Sequence, residues 1–259
     1  MNVLILATLL LVLVMFAALL ACVELGYRVG RRRIDANPDI IAGVGVIEAA
    51  VFGLLGLLLA FQFSAGQTRM EARRQLIVRE ANAIGTAYLR LDLLPASAQP
   101  PLRDLFRRYT DTRIDAFNQL PDVRRYEQKL AEAGELQGQI WSAAVSAAQS
   151  DPNPATRSLV LPPINDLIDV TTDRTIATAN HVPVAIVALL VGVSLVGGVL
   201  AGHAMAVRRR GRSVWHEFAF AAVVAGTLCV MMDLEFPRYG LIRNSDADRA
   251  LHDARAAMK

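Results

Sequence analysis

Cysteine is nearly absent. Cys22 and Cys229 are the two in 259 residues, and both fall in apolar stretches. Two cysteines build neither a disulfide framework nor, alone, a tetrahedral metal centre. Histidine is equally sparse: His181, His203, His216 and His252 are scattered without ligand-like spacing. The chain has no glycine-rich phosphate loop, no nucleophile elbow and no paired His/Cys motif. Nothing in it sets a nucleophile or base beside a positioned partner, so the reading is a non-enzyme without cofactor or metal. Charge is scarce as well, at 20% of residues against 54% hydrophobic, with a mean hydropathy of +0.36. Long stretches near both ends carry almost none, while the middle is dense in Arg, Asp and Glu. A bilayer imposes that segregation, because an unpaired charge at its centre costs about 2.5–3.5 kcal/mol or more. The net charge of +3 sits mostly in two short Arg clusters, which read as topology rather than a nucleic-acid surface.

A spanning helix needs roughly 20 mostly apolar residues. Four stretches qualify: Val3–Val23, Ile40–Ser64, Val182–Ala206 and Trp215–Leu234. The expected architecture is therefore all-α and integral to a membrane. Two spans lie in 1–64, a helical extramembrane domain in 65–181, two further spans in 182–236, and a tail in 237–259. The first stretch reads as an uncleaved helix. It lacks a basic leading segment, and its apolar run exceeds the ~7–15 residues of a signal peptide. Leu19-Leu20-Ala21-Cys22 only faintly resembles a lipoprotein cleavage site. Short-loop arginines (Arg28, Arg31, Arg32 and Arg33; then Arg208, Arg209, Arg210 and Arg212) place those loops in the cytoplasm and the termini and middle domain outside. Arg69, Arg73, Arg74 and Arg79, with Arg238 and Arg243, argue the other way.

The middle domain shows no sustained period-two alternation and reads as helical throughout, with breaks at Pro95–Pro101, Pro121 and Asp151–Pro154. Pro162 and Pro163 are expected to kink or split its last helix. Between Gly43 and Leu93 there is no proline, so one helix of about 75 Å is predicted, at ~1.5 Å per residue. Ile77, Ile84, Tyr88 and Leu91 share a face of its extramembrane part.

Along the second span Ala42, Gly45, Ala49, Gly53, Gly56, Ala60 and Ser64 recur three or four residues apart, a stripe that lets backbones approach closely. Packing within the chain and a subunit interface both fit it. Ser194, Gly198, Gly202 and Ala206 repeat the theme in the third span. Glu48, two turns into the second span, must face protein or water. It shares a helical face with Phe52, Leu55, Leu59 and Gln62, a polar–apolar–polar order from which ion pathways are built. The alternative is an interfacial glutamate paired with an arginine such as Arg208. Asn165, Asp166, Asp169 and Asp173 line neighbouring turns, which reads as a solvated face rather than a metal site.

The stretch Leu57-Leu58-Leu59-Ala60-Phe61-Gln62-Phe63-Ser64, then Glu71-Ala72-Arg73-Arg74 and Glu80-Ala81-Asn82-Ala83-Ile84-Gly85-Thr86-Ala87-Tyr88-Leu89-Arg90, resembles the bestrophin-like domain proteins of bacteria. The resemblance resumes at Asn165 to Arg174 and at Asp233-Leu234-Glu235-Phe236-Pro237-Arg238-Tyr239-Gly240-Leu241-Ile242-Arg243. It implies the bacterial inner membrane and kinship with bestrophins, oligomeric anion channels whose second helix lines a pore with an apolar neck. By that analogy Phe52, Leu55, Leu59 and Phe63 are the neck candidates, a fold-level transfer. Asp233, Glu235, Arg238 and Arg243 are expected to form an ion-paired collar at the membrane exit. The implied partners are lipid, further copies of the chain and inorganic ions. The competing reading is a non-conducting sensor or scaffold whose mixed-charge helical domain binds a partner.

Overall fold

The structure, a computed structural model, describes residues 3–36, 44–119, 122–207, 214–235 and 245–259. Among them there is no strand. The elements are α1 (Val3–Ala36), α2 (Val44–Arg90), α3 (Gln99–Asn118), α4 (Val123–Ser150), α5 (Pro154–Ala179), α6 (Val184–Val207), α7 (Val214–Glu235) and α8 (Ser245–Ala256). A 3₁₀ turn, Leu91–Leu93, follows α2. The predicted long helix is there: α2 runs unbroken for 47 residues. The last helix of the middle domain is not split: α5 continues through Pro162 and Pro163.

The chain divides into two compact units, Met1–Thr68 with His181–Ile242, and Arg69–Asn180 with Arg243–Lys259. Among the described residues, four helices are long and apolar enough to cross a membrane. At ~1.5 Å per residue the 24 residues of α6 measure about 36 Å, enough for a hydrocarbon core of ~30 Å. Here α1 and α6 touch backbone to backbone. A Cβ added at Gly26 would stand 1.9 Å from the Val199 carbonyl oxygen, and one at Gly202 would stand 1.9 Å from that of Val23. Glycine makes such an approach possible where lipid supplies no hydrophobic drive between helices. Leu19 of α1 meets Ala221, Val224 and Ala225 of α7 in a second buried seam, with the Phe16 and Phe218 rings 5.8 Å apart.

The second unit is a water-type helical core. Ile77, Ile84, Tyr88 and Leu91 of α2 and the turn after it are buried, as their spacing predicts, against Phe106 and Tyr109 of α3, Leu136 and Ile140 of α4, and Ile164 and Leu167 of α5. Asp122 caps α4 by accepting from the Arg125 amide, and Asn153 caps α5 by accepting from that of Ala155. Read from sequence as a tail, the C-terminal residues instead contribute α8 to this unit. Leu251 and Met258 are buried in its core, and the Arg255 guanidinium grips the Asp111 carboxylate at 2.7 and 3.0 Å.

Candidate functional site

Three groups of residues bear on function. The first is the membrane part of α2. Its Glu48, Phe52 and Leu55 face, the expected pore lining, turns inward to the chain's own helices. Glu48 is 5% exposed and Leu55 is buried. A methyl at Gly197 of α6 would touch Phe52 at 3.5 Å and Leu55 at 3.6 Å. The Phe52 ring stands edge-on to Phe220 of α7 at 5.8 Å. Leu59 and Gln62 are half-buried and Phe63 is exposed. The reason is size: α6 presents glycine there, and a bulky α2 face fills the hollow.

The stripe Gly45, Ala49, Gly53, Gly56 and Ala60 lies on the exposed side of α2. A Cβ at Gly45, Gly53 or Gly56 meets no atom within 4 Å among the described residues. The two small-residue stripes thus differ. In α6, Ser194 is buried and Gly198 and Gly202 seat on α1, whereas the α2 stripe has no such neighbour among the described residues. Val46, Leu54, Leu57 and Phe61 are exposed beside it.

At the end of α7, Asp233 and Glu235 are buried. The Glu235 carboxylate accepts the Val182 amide at 3.1 Å and stands 3.3 Å from His181 Nδ1, fixing the entry to α6. Arg238 and Arg243, the expected cationic half of a collar, lie outside the described residues. So does Arg208, named in the alternative reading of Glu48; the carboxylate lies 3.7 Å from His203 Nδ1. Asp166, Asp169 and Asp173 are exposed on α5, and the Asn165 amide donates to Asp169 at 2.8 Å.

The third group is one that single-residue reading missed. Glu80 of α2, 0% exposed, joins Arg113 of α3 and Arg174 of α5, both buried. Arg113 donates through Nε to Oε1 at 2.6 Å and through Nη2 to Oε2 at 3.0 Å. Arg174 Nη1 donates to Oε2 as well. The Tyr109 hydroxyl donates to Oε1 at 3.2 Å. From α4, the Gln137 amide reaches the Tyr109 hydroxyl at 3.2 Å and Thr171 at 3.0 Å. Phe117 lies under the Arg174 guanidinium at 4.4 Å. Burial alone would push the Glu80 carboxyl up; the Arg174 and Arg113 charges and their hydrogen bonds overcome it and hold it at about 2. Burial and the Glu80 charge push the Tyr109 phenol up, so it stays neutral. A carboxylate held by four donors has no lone pair free for proton abstraction. The cluster is a four-helix clasp, not a base. Its sequence signal was present, since Glu80 and Arg174 both fall in the resemblance blocks.

Together these features define an all-helical membrane protein with four spans and an ion-clasped helical unit. Residues 9–247 match the Bestrophin-like domain, and the chain belongs to that family. Among solved structures it is similar to a bacterial bestrophin homolog from Klebsiella pneumoniae carrying a single substitution, at 18% identity and a TM-score of 0.60, covering 92% of this chain and 98% of that one. A second variant of the Klebsiella homolog gives 15% identity, a TM-score of 0.60, and coverage of 95% and 98%. A structure described as a membrane protein gives 16%, 0.60, 92% and 97%. No curated protein matches.

Proposed function

We propose that the protein is a homo-oligomeric, channel-like component of the bacterial inner membrane, with the open face of α2 bordering a path for inorganic anions. The observation that carries this reading is the unmatched pair of glycine stripes. The α6 stripe is used inside the subunit, while Gly45, Gly53 and Gly56 of α2 have nothing against them among the described residues. A small-residue stripe gains little from lipid tails but lets a neighbouring helix approach closely. On a wheel of ~100° per residue, Leu57 and Phe61 lie beside the stripe, one turn apart. A ring of subunits packed on the stripe turns these two toward its axis, where apolar side chains gate by dewetting. We place the lining on this face rather than on Glu48, Phe52 and Leu55, since Phe52 and Leu55 pack toward Gly197 of α6 and Phe52 also meets Phe220 of α7. Family membership and the bestrophin fold support it at the level of analogy.

Two measurements on purified full-length protein test the proposal. Particle imaging is expected to show a ring of four or more subunits. Leu57→Ala and Phe61→Ala are expected to raise current in planar bilayers. A monomer or twofold dimer without conductance supports a membrane-anchored scaffold instead.

A further inference from the structure

The end of α1, the start of α2 and the end of α6 enclose a half-open cavity of about 290 Å³ that nothing above uses. Arg33 lies on the last turn of α1, Glu48 four residues into α2, and His203 on the last turns of α6. All three polar groups therefore stand near the ends of their helices as described. Glu48 Oε1 is buried and has no hydrogen-bond partner among the described residues. His203 Nδ1 stands 3.7 Å from it, beyond hydrogen-bond reach. A buried carboxylate oxygen without a donor is costly, so the site calls for an N–H or O–H from outside the chain. The other walls are apolar, among them Val29, Ile47 and Leu200. Val29 is 39% and Ile47 66% exposed, so the mouth opens sideways through apolar residues of membrane helices. A water-soluble ligand would not favour that entrance; an amphiphile would. At the rim, the exposed Arg33 presents a guanidinium suited to a phosphate oxygen pair.

We propose that this cavity binds the headgroup of an amine-bearing zwitterionic phospholipid. The primary ammonium donates to Glu48 Oε1, the phosphate meets Arg33, and the acyl chains leave past Val29 and Ile47. The class of headgroup follows from the orphaned oxygen. A primary ammonium carries three donors and a positive charge for the carboxylate, while a quaternary choline carries no donor and a glycerol headgroup offers neutral hydroxyls without a cation. The proposal does not depend on conduction, and its test measures no current.

Full-length protein in nanodiscs of mixed phosphatidylethanolamine, phosphatidylcholine and phosphatidylglycerol is released into native mass spectrometry, and retained lipids are counted. Wild type is expected to retain the ethanolamine lipid about tenfold over the choline lipid, the worth of one charge-assisted hydrogen bond. Glu48→Gln abolishes that preference, and Arg33→Gln weakens both lipids alike. Ile47→Trp, at an exposed position that leaves folding intact, fills the mouth and removes bound lipid. Equal retention of the three lipids by wild type, or an ethanolamine preference that survives Glu48→Gln, overturns the proposal. So does displacement of the lipid by soluble phosphoethanolamine at matching concentration, which would assign the site to a free phosphoamine.

Discussion

Without the Glu80 carboxylate, the Arg113 and Arg174 guanidiniums would share a site closed to water with no counter-charge between them. Breaking a buried pair from one side typically costs about 3–5 kcal/mol, because it strands a desolvated charge. Glu80→Gln is therefore expected to destabilise the full-length protein by that order in urea titration followed by Trp141 fluorescence, with Trp215→Phe as background. The same carboxylate makes stability acid-sensitive. Its folded value of about 2 lies below the ordinary 4.5, so the ionised form favours folding above the ordinary value. That contribution, on the order of 3 kcal/mol, drains away as pH falls from about 4.5 toward 2. Wild type should lose stability across that window, and Glu80→Gln should show a flatter profile there. Local sequence announced neither effect. The period of Ile77, Ile84, Tyr88 and Leu91 was legible because burial repeats with the helix, but the partners of Glu80 lie 33 and 94 residues away. No periodicity encodes such a pairing.

Glycine spacing alone could not separate the two stripes, since a stripe records that a close approach occurs and not what approaches. The neighbours decide it. Gly202→Leu would drive a side chain into the Val23 carbonyl, 1.9 Å from where its Cβ must sit. It is expected to lower the melting temperature and yield of the detergent-solubilised protein. Gly53→Leu meets open space within the subunit and should leave the subunit's melting intact while reducing assembly, read as a shift to smaller mass in size exclusion with light scattering. Equal melting losses in both variants would remove the distinction. The length of α2 was readable from the absence of proline. The helical part of residues 237–259 was not, because the amphipathic pattern of α8 is short and its buried face exists only once the core of the second unit forms.

For the whole molecule, four apolar runs with charge between them were enough to give the fold class and the number of spans. Orientation was less accessible, because arginines follow the second span as closely as they fill the short loops. Arg73 shows what else an arginine there does. Its guanidinium donates to the Ala177 and Asn180 carbonyls at 3.0 and 2.8 Å, closing the end of α5. That is a packing role within the second unit. The sequence reading of Glu48, Phe52 and Leu55 as a lining turned on a pattern that has two physical causes. A polar–apolar–polar face marks a buried face, and α6 and α7 bury it as readily as a pore would. Current through planar bilayers carrying purified wild-type, Leu57→Ala and Leu55→Ala protein tests the central proposal most directly. Anion-selective current in wild type that rises in Leu57→Ala, with Leu55→Ala altering stability but not conductance, is the expected result. A silent wild-type bilayer, or current that rises in Leu55→Ala and ignores Leu57→Ala, would contradict it.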